Sequence, residues 1–203
     1  MKNYFETNKN SINIAIDQLK RGNLIIHSTD TIPGLATDAT NNSALEKLIK
    51  LKGRPGPYSI IIADMDSIKQ YAILRKGALR KIKNLLPGPF TILLKNNNQN
   101  NLSQLALGGS ELVGFRVPNH KFTNQLVTKF KRPIITTSLN LTGEDSIINL
   151  EKVSEHFKEL VIFDDKKRNP SKGSTILDFS SDNIKLIRKG DGDYTPWNPT
   201  LEF

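Results

Sequence analysis

Residues 52–59 read KGRPGPYS, so Lys52 and Arg54 flank a glycine where a helix-forming run, NNSALEKLIKL, gives out. A glycine there ends a helix in the left-handed conformation, and cations near a helix C-terminus suit its dipole. The same two cations, followed by two stiffening prolines, are also placed to grip an anion. Other polar clusters stand where apolar runs end. They are STDT (28–31) after LIIH, Arg116 inside VGFRVP, TTSLN (136–140) after PII, and Arg188 after KLI. In α/β sheets, ligands gather beyond the carboxyl ends of strands. Taken singly, each cluster is more simply a turn or a cap, which Ser, Thr, Asp and Asn readily supply. Arg116 is more telling, because a charge between apolar strand residues needs a partner, either a structural salt bridge or a ligand.

Several chemistries are excluded. The chain has no cysteine, so disulfides, thiolate catalysis and cysteine zinc sites are absent. Its three histidines, His27, His120 and His156, are scattered without metal-ligand spacing, and none has a context that suggests activation in a Ser-His-Asp arrangement. GDGD at 190–193 lacks the ligand spacing of a calcium loop, TGED at 142–145 reads as a turn, and GGS at 108–110 is too short for a phosphate cradle. Neither a GxxxxGK[ST] loop nor a GxGxxG fingerprint occurs.

The elements that must position these residues follow from periodicity. Helices are expected over 11–21, 43–51, 66–76, 77–86, 121–130 and 149–157, and the N-terminal 23 residues read as an ordinary amphipathic helix. Strands are expected over 24–27, 59–63, 90–95, 111–118, 133–140 and 159–164, with 174–179 and 183–190 as a closing pair. Residues 28–39 read as loop, as does NNNQNN at 96–101. Alternating helices and strands give an α/β class, and the late run of strands gives a mixed sheet flanked by helices. The 203 residues, 37% hydrophobic and 24% charged, suit a single domain over 1–190 with a C-terminal tail over 191–203 packed on the surface. No apolar run of membrane-spanning length and no signal peptide stands out, so a cytoplasmic protein with no membrane partner is expected. The net charge of +9 favours anionic partners, although Asn- and Lys-rich composition alone also yields a basic surface.

The order of the clusters carries more than any one of them. STDTIPGLATDA, KGRP, LPGPFTILL, VGFRVPNH, RPIITTSLNLTG, GSTILDF and LIRKG follow one another from about residue 10 to 190. This series resembles the YrdC-like family of threonylcarbamoyl-AMP synthases, in its short single-domain form, which implies an open, twisted α/β sheet with a basic concave face. The resemblance implies a nucleotidyltransferase that condenses L-threonine, bicarbonate or CO2, and ATP to threonylcarbamoyl-AMP and pyrophosphate. Other proteins then transfer the threonylcarbamoyl group to tRNA. It further implies an ATP group of Lys52, Arg54, Ser138, Asn140 and Arg188, in which Lys52 and Arg54 are the catalytic cations. It implies a threonine group of Thr31, Arg116, Thr136 and Ser174. Mg2+ is expected to arrive with ATP, and no resident metal or tightly bound cofactor is expected.

The chain departs from the family pattern in three places. Ser28 replaces the opening proline, Pro33 stands where an aromatic residue is usual, and Tyr58 lies near the position of a common lysine. These changes would also suit a paralogue with a different substrate. A reading of another class is a non-catalytic module that binds tRNA or rRNA on a basic concave face. That module has no need of a hydroxyl set such as Thr31, Thr136, Ser138 and Ser174.

Overall fold

The computed structural model describes residues 3–166 and 170–195. Ten strands form one sheet: β1 (Tyr4–Glu6), β2 (Ile25–His27), β3 (Gly34–Asp38), β4 (Ser59–Ile61), β5 (Phe90–Lys95), β6 (Leu112–Arg116), β7 (Ile134–Ser138), β8 (Val161–Asp164), β9 (Thr175–Asp178) and β10 (Lys185–Arg188). Their spatial order is β1-β8-β2-β3-β7-β4-β6-β5-β9-β10. The sheet is mixed, as expected. β8 lies parallel to β1 and β2, β4 to β6 and β5 to β9, and the other neighbours are antiparallel.

The pleat divides the apolar residues between two cores. Ile25, Ala36, Ile61, Ile134 and Phe163 point to one face, where α1 (Lys9–Lys20) and α5 (Lys121–Phe130) cover them with Ile12, Ala15, Leu19, Phe122, Leu126 and Phe130. Ile26, Leu35, Ile60, Ile62, Ile135 and Ile162 point to the other face and join the larger core, to which α2 (Asn42–Lys52), α3 (Ala78–Lys83) and α4 (Gln104–Leu107) contribute. Neighbours along a strand go to opposite cores, as a period of two requires. The sequence starts α1 sharply. The Asn8 side chain accepts from the backbone N–H groups of Asn10 and Ser11, and Ser11 Oγ accepts from Asn8 N.

Several expectations fail, each for a physical reason. Residues 34–38 form β3, buried on both faces between β2 and β7. A run of small residues, GLATD, carries no alternation from which to read a strand. The N-terminal stretch is a short strand before it is a helix, because β8 pairs with Tyr4–Glu6. Residues 66–76 supply only a 3-10 turn over Asp66–Gln70, and 149–157 supply two, at Leu150–Lys152 and Glu155–Phe157. The short α4 was not foreseen. Beyond Gly190, Asp191 N donates to Gly173 O and Gly192 is buried against Phe90, while 196–203 lie outside the described residues. No helix among the described residues is long and apolar enough to cross a membrane.

Candidate functional site

The face that carries α1 and α5 is polar at its far end. Registers place Gly34 opposite Ser138, and Thr136 opposite both Ala36 and Ser59. Ser59 is also opposite Gly114, Ile61 is opposite Arg116, and Ile176 is opposite Arg188. Opposed residues share a face. Where the opposed residues are Ile61 and Ile134, the helices cover them. Where they become Ser59, Thr136 and Ser138, an open cavity of about 270 Å³ remains, and Arg116, from the end of β6, also lines it.

Seven of the nine residues assigned from the motif order line this cavity: Thr31, Arg54, Arg116, Thr136, Ser138, Ser174 and Arg188. Lys52 and Asn140 are not among its lining residues. Three arginines therefore converge from the segment after α2, from β6 and from β10.

Arg116 is 6% exposed. Its Nη2 donates to Asp30 Oδ1 at 2.8 Å and to Thr31 Oγ1 at 3.1 Å, and Asp30 Oδ2 accepts from the backbone N–H of Asn119. Arg116 thus has the structural salt bridge and also faces the cavity. Burial pulls its guanidinium below the usual arginine range, Asp30 opposes that shift, and the nearby charge of Arg188 adds to it. Burial lowers Arg188 as well. The charge of Arg188 disfavours that of Arg116, while Asp30 and Asp191 favour it; a ligand anion placed beside the two guanidinium groups would favour both. Arg188 is held by Ser174, whose backbone oxygen accepts from Nη2 at 2.7 Å and Nε at 3.2 Å. Ser174 Oγ in turn bonds Thr91 Oγ1 at 2.7 Å.

The KGR segment divides its two cations. Gly53 closes α2 at φ 73°, donating to Ile49 O, and a left-handed residue there reverses the chain. Lys52 turns inward and is 2% exposed. Its ammonium donates to Ser138 O (2.9 Å), Asn140 O (2.6 Å) and Asn140 Oδ1 (2.7 Å). Ser138 Oγ donates to that same Oδ1, and Thr142 Oγ1 donates to Lys52 O. Burial, reinforced by Arg54, pushes Lys52 down to about 8. Arg54 turns into the cavity and lies over the Tyr58 ring, 5.3 Å from its centroid. Tyr58 Oη donates to Arg54 O. The departure at Tyr58 therefore supplies a ring on which the arginine rests.

Sequence reasoning missed Asp30, Ser59 and Thr137 at this site. A signal for Asp30 was available: an arginine between apolar residues requires an acid, and Asp30 stands in the STDT cluster. It also missed the meeting of two histidines. His120 Nε2 bonds Asp165 Oδ2, His120 Nδ1 bonds Thr123 Oγ1, and Thr123 Oγ1 bonds Nδ1 of the fully buried His27. No periodicity relates those four positions. Among the described residues, no group of three or more His, Asp or Glu could hold a metal ion.

The class is an open α/β sheet with a basic, hydroxyl-lined hollow. The particular family follows from comparison. The Sua5–YciO–YrdC family model, described as telomere recombination, matches residues 17–190, and the chain belongs to that family. A threonylcarbamoyl-AMP synthase of Psychromonas ingrahamii is 32% identical over 74% of this chain and 80% of its own length. The structure of Pyrococcus abyssi Sua5 in complex with L-threonine superposes with a TM-score of 0.82 at 26% identity, over 92% of this chain. This chain spans 57% of that longer protein. Escherichia coli YciO has a TM-score of 0.81 at 23% identity, over 94% of this chain and 95% of that one, a likeness of fold alone.

Proposed function

We propose that this chain is an L-threonylcarbamoyl-AMP synthase, forming threonylcarbamoyl-AMP and pyrophosphate from L-threonine, bicarbonate or CO2, and ATP, for the modification of tRNA. One observation carries the reading: residues from the separate motifs, Thr31 to Arg188, line a single cavity that joins three guanidinium groups to a set of neutral hydroxyls. About 270 Å³ is at the small end of metabolite sites, which suits an amino acid and the reacting end of a nucleotide.

In this reading Arg116, fixed by Asp30, takes the threonine carboxylate, with Thr31, Thr136 and Ser174 beside it. The amine, left free, attacks carbon dioxide and loses a proton to give the carbamate. A carbamate oxygen then attacks the α-phosphorus, and the bond to the pyrophosphate oxygen breaks. Arg54 and Arg188 neutralise the charge gathering there, and Ser138 orients the phosphate. Lys52 and Asn140 act by holding the loop that bears Ser138. No protein nucleophile is needed, so catalysis is positioning and electrostatics. Mg2+ enters with ATP. Transfer of the product to tRNA falls to partner proteins.

The test is pyrophosphate release from MgATP. Release that requires both threonine and bicarbonate supports the synthase. Salt-sensitive RNA binding without release supports the RNA-binding module, and release with another amino acid supports a paralogue, to which Pro33 in the cavity wall would contribute.

A further inference from the structure

The GDGD run at 190–193 has no part in the chemistry proposed above. Its Asp191 lies across the loop that precedes β9. Asp191 Oδ1 accepts from the Lys172 backbone N–H at 2.7 Å, Oδ2 accepts from Ser171 Oγ, and Asp191 N donates to Gly173 O at 2.8 Å. Ser171 Oγ in turn accepts from Gly173 N at 3.0 Å. An ionised carboxylate is an acceptor at both oxygens, so it can take both side-chain bonds at once.

The glycines on either side of Asp191 let the two segments meet. A Cβ on Gly190 would lie 2.2 Å from Gly173 O, and one on Gly192 would lie 2.5 Å from the Phe90 ring. The buried Thr175 hydroxyl joins both flanks: it accepts from Gly190 N at 2.9 Å and donates to Gly192 O at 2.7 Å.

The clasped loop forms part of the cavity wall. Gly173 and Ser174 line the cavity, and Ser174 O accepts from the Arg188 guanidinium that lines it too. Asp191 is not among the lining residues. The stretch SKGS (171–174) has no apolar side chain to anchor it, so its place depends on hydrogen bonds. We propose that Asp191 is a positioning residue: it fixes the 171–174 loop, and through it Ser174 and Arg188, for binding of both the amino acid and the nucleotide. This rests on the function proposed above. The charge of Asp191 also favours that of Arg116. Toward an anionic ligand the same charge is unfavourable, so the role lies in the hydrogen bonds, and an amide at this position separates the two effects.

Calorimetric titration with L-threonine and with MgATP tests it in wild type, Asp191→Ala and Asp191→Asn, alongside their melting temperatures. Asp191→Ala removes both side-chain acceptors, and both dissociation constants are expected to rise about tenfold or more, because small misplacements of binding groups are costly. Asn keeps an oxygen for the Lys172 N–H and offers an amide N–H to Ser171 Oγ, so both constants are expected to stay within about threefold of wild type. An Ala variant that melts earlier but binds both ligands like wild type overturns the role of Asp191 alone. Equal weakening in Ala and Asn assigns the effect to charge and overturns it as well. A wild type that does not bind threonine overturns the function proposed above, and the role of Asp191 is then read on MgATP. If Asp191→Ala does not fold, Ser171→Ala serves: it removes one bond of the clasp, a rise of about threefold in both constants is expected, and no change rejects the proposal.

Discussion

Lys52 and Arg54 are two positions apart and have opposite surroundings, so their removal should be separable. Arg54→Ala takes a guanidinium from the cavity and leaves the fold intact. Turnover per KM in the pyrophosphate assay should fall about a hundredfold, with a melting temperature near that of wild type. Lys52→Met leaves Asn140 Oδ1 and two carbonyl oxygens without their ammonium donor. It should lose roughly 2–4 kcal/mol of stability in denaturant titration as well as activity. An outcome in which both variants melt like wild type would contradict the staple role of Lys52. Lys52 also titrates near 8, and its neutral amine has two N–H groups for three acceptors. The KM for ATP should therefore rise as pH passes upward through about 8.

His27 gives a second prediction at this scale. Its folded pKa is depressed to about 3 from 6.5, so between those values the unfolded chain binds a proton that the folded chain does not. Stability from this residue is complete above 6.5 and declines as the pH falls below it. Between pH 7 and 5 the loss is about 2 kcal/mol by linkage. Urea midpoints of wild type and His27→Leu, compared at the two pH values, should show that extra loss only in wild type.

At the scale of elements, the site is a product of strand pairing. β3 and β7 approach so closely that Gly34 has Thr136 Oγ1 and Thr137 O, at 2.6 and 3.3 Å, where a side chain would begin. Gly34→Ala should displace Thr136, cost about 1–3 kcal/mol and abolish calorimetric threonine binding. Retained binding would show that this floor does not touch the ligand. The strand that carries Gly34 was also the one the sequence hid. Bulky apolar and β-branched residues mark β5, β6 and β7, whereas GLATD has one large apolar side chain, Leu35, to betray its burial on both faces. The helices were easier, because α1, α2 and α5 each present an apolar stripe and a capping residue. The 149–157 segment had the stripe but only two 3-10 turns formed.

For the whole molecule, the net charge of +9 is joined to a hollow that three arginines share, one of them paired with Asp30. Ligand charge should then stabilise the fold. MgATP at about a hundred times its dissociation constant should add roughly 2.7 kcal/mol, a melting shift of about 5–11 °C for a chain of this size. The shift should shrink in Arg54→Ala and persist at raised salt, because partly buried pairs are screened less than surface ones. RNA held only by surface lysines would be released over the same salt range.

The sequence by itself determined what local periodicity and chemistry can encode. It set the alternation of helices and strands, the end of α2 at Gly53, and the placing of Ser, Thr and Arg clusters where strands stop. The order of those clusters also carried the family. Only the tertiary structure decided which side chain meets which. The pairing of β2, β3, β7, β4 and β6 across long stretches of chain turned Lys52 toward the 138–140 loop and gave Arg116 its aspartate. It also set His27 beside Gly34. Register and burial are properties of neighbours distant in sequence, and no short window of residues contains them.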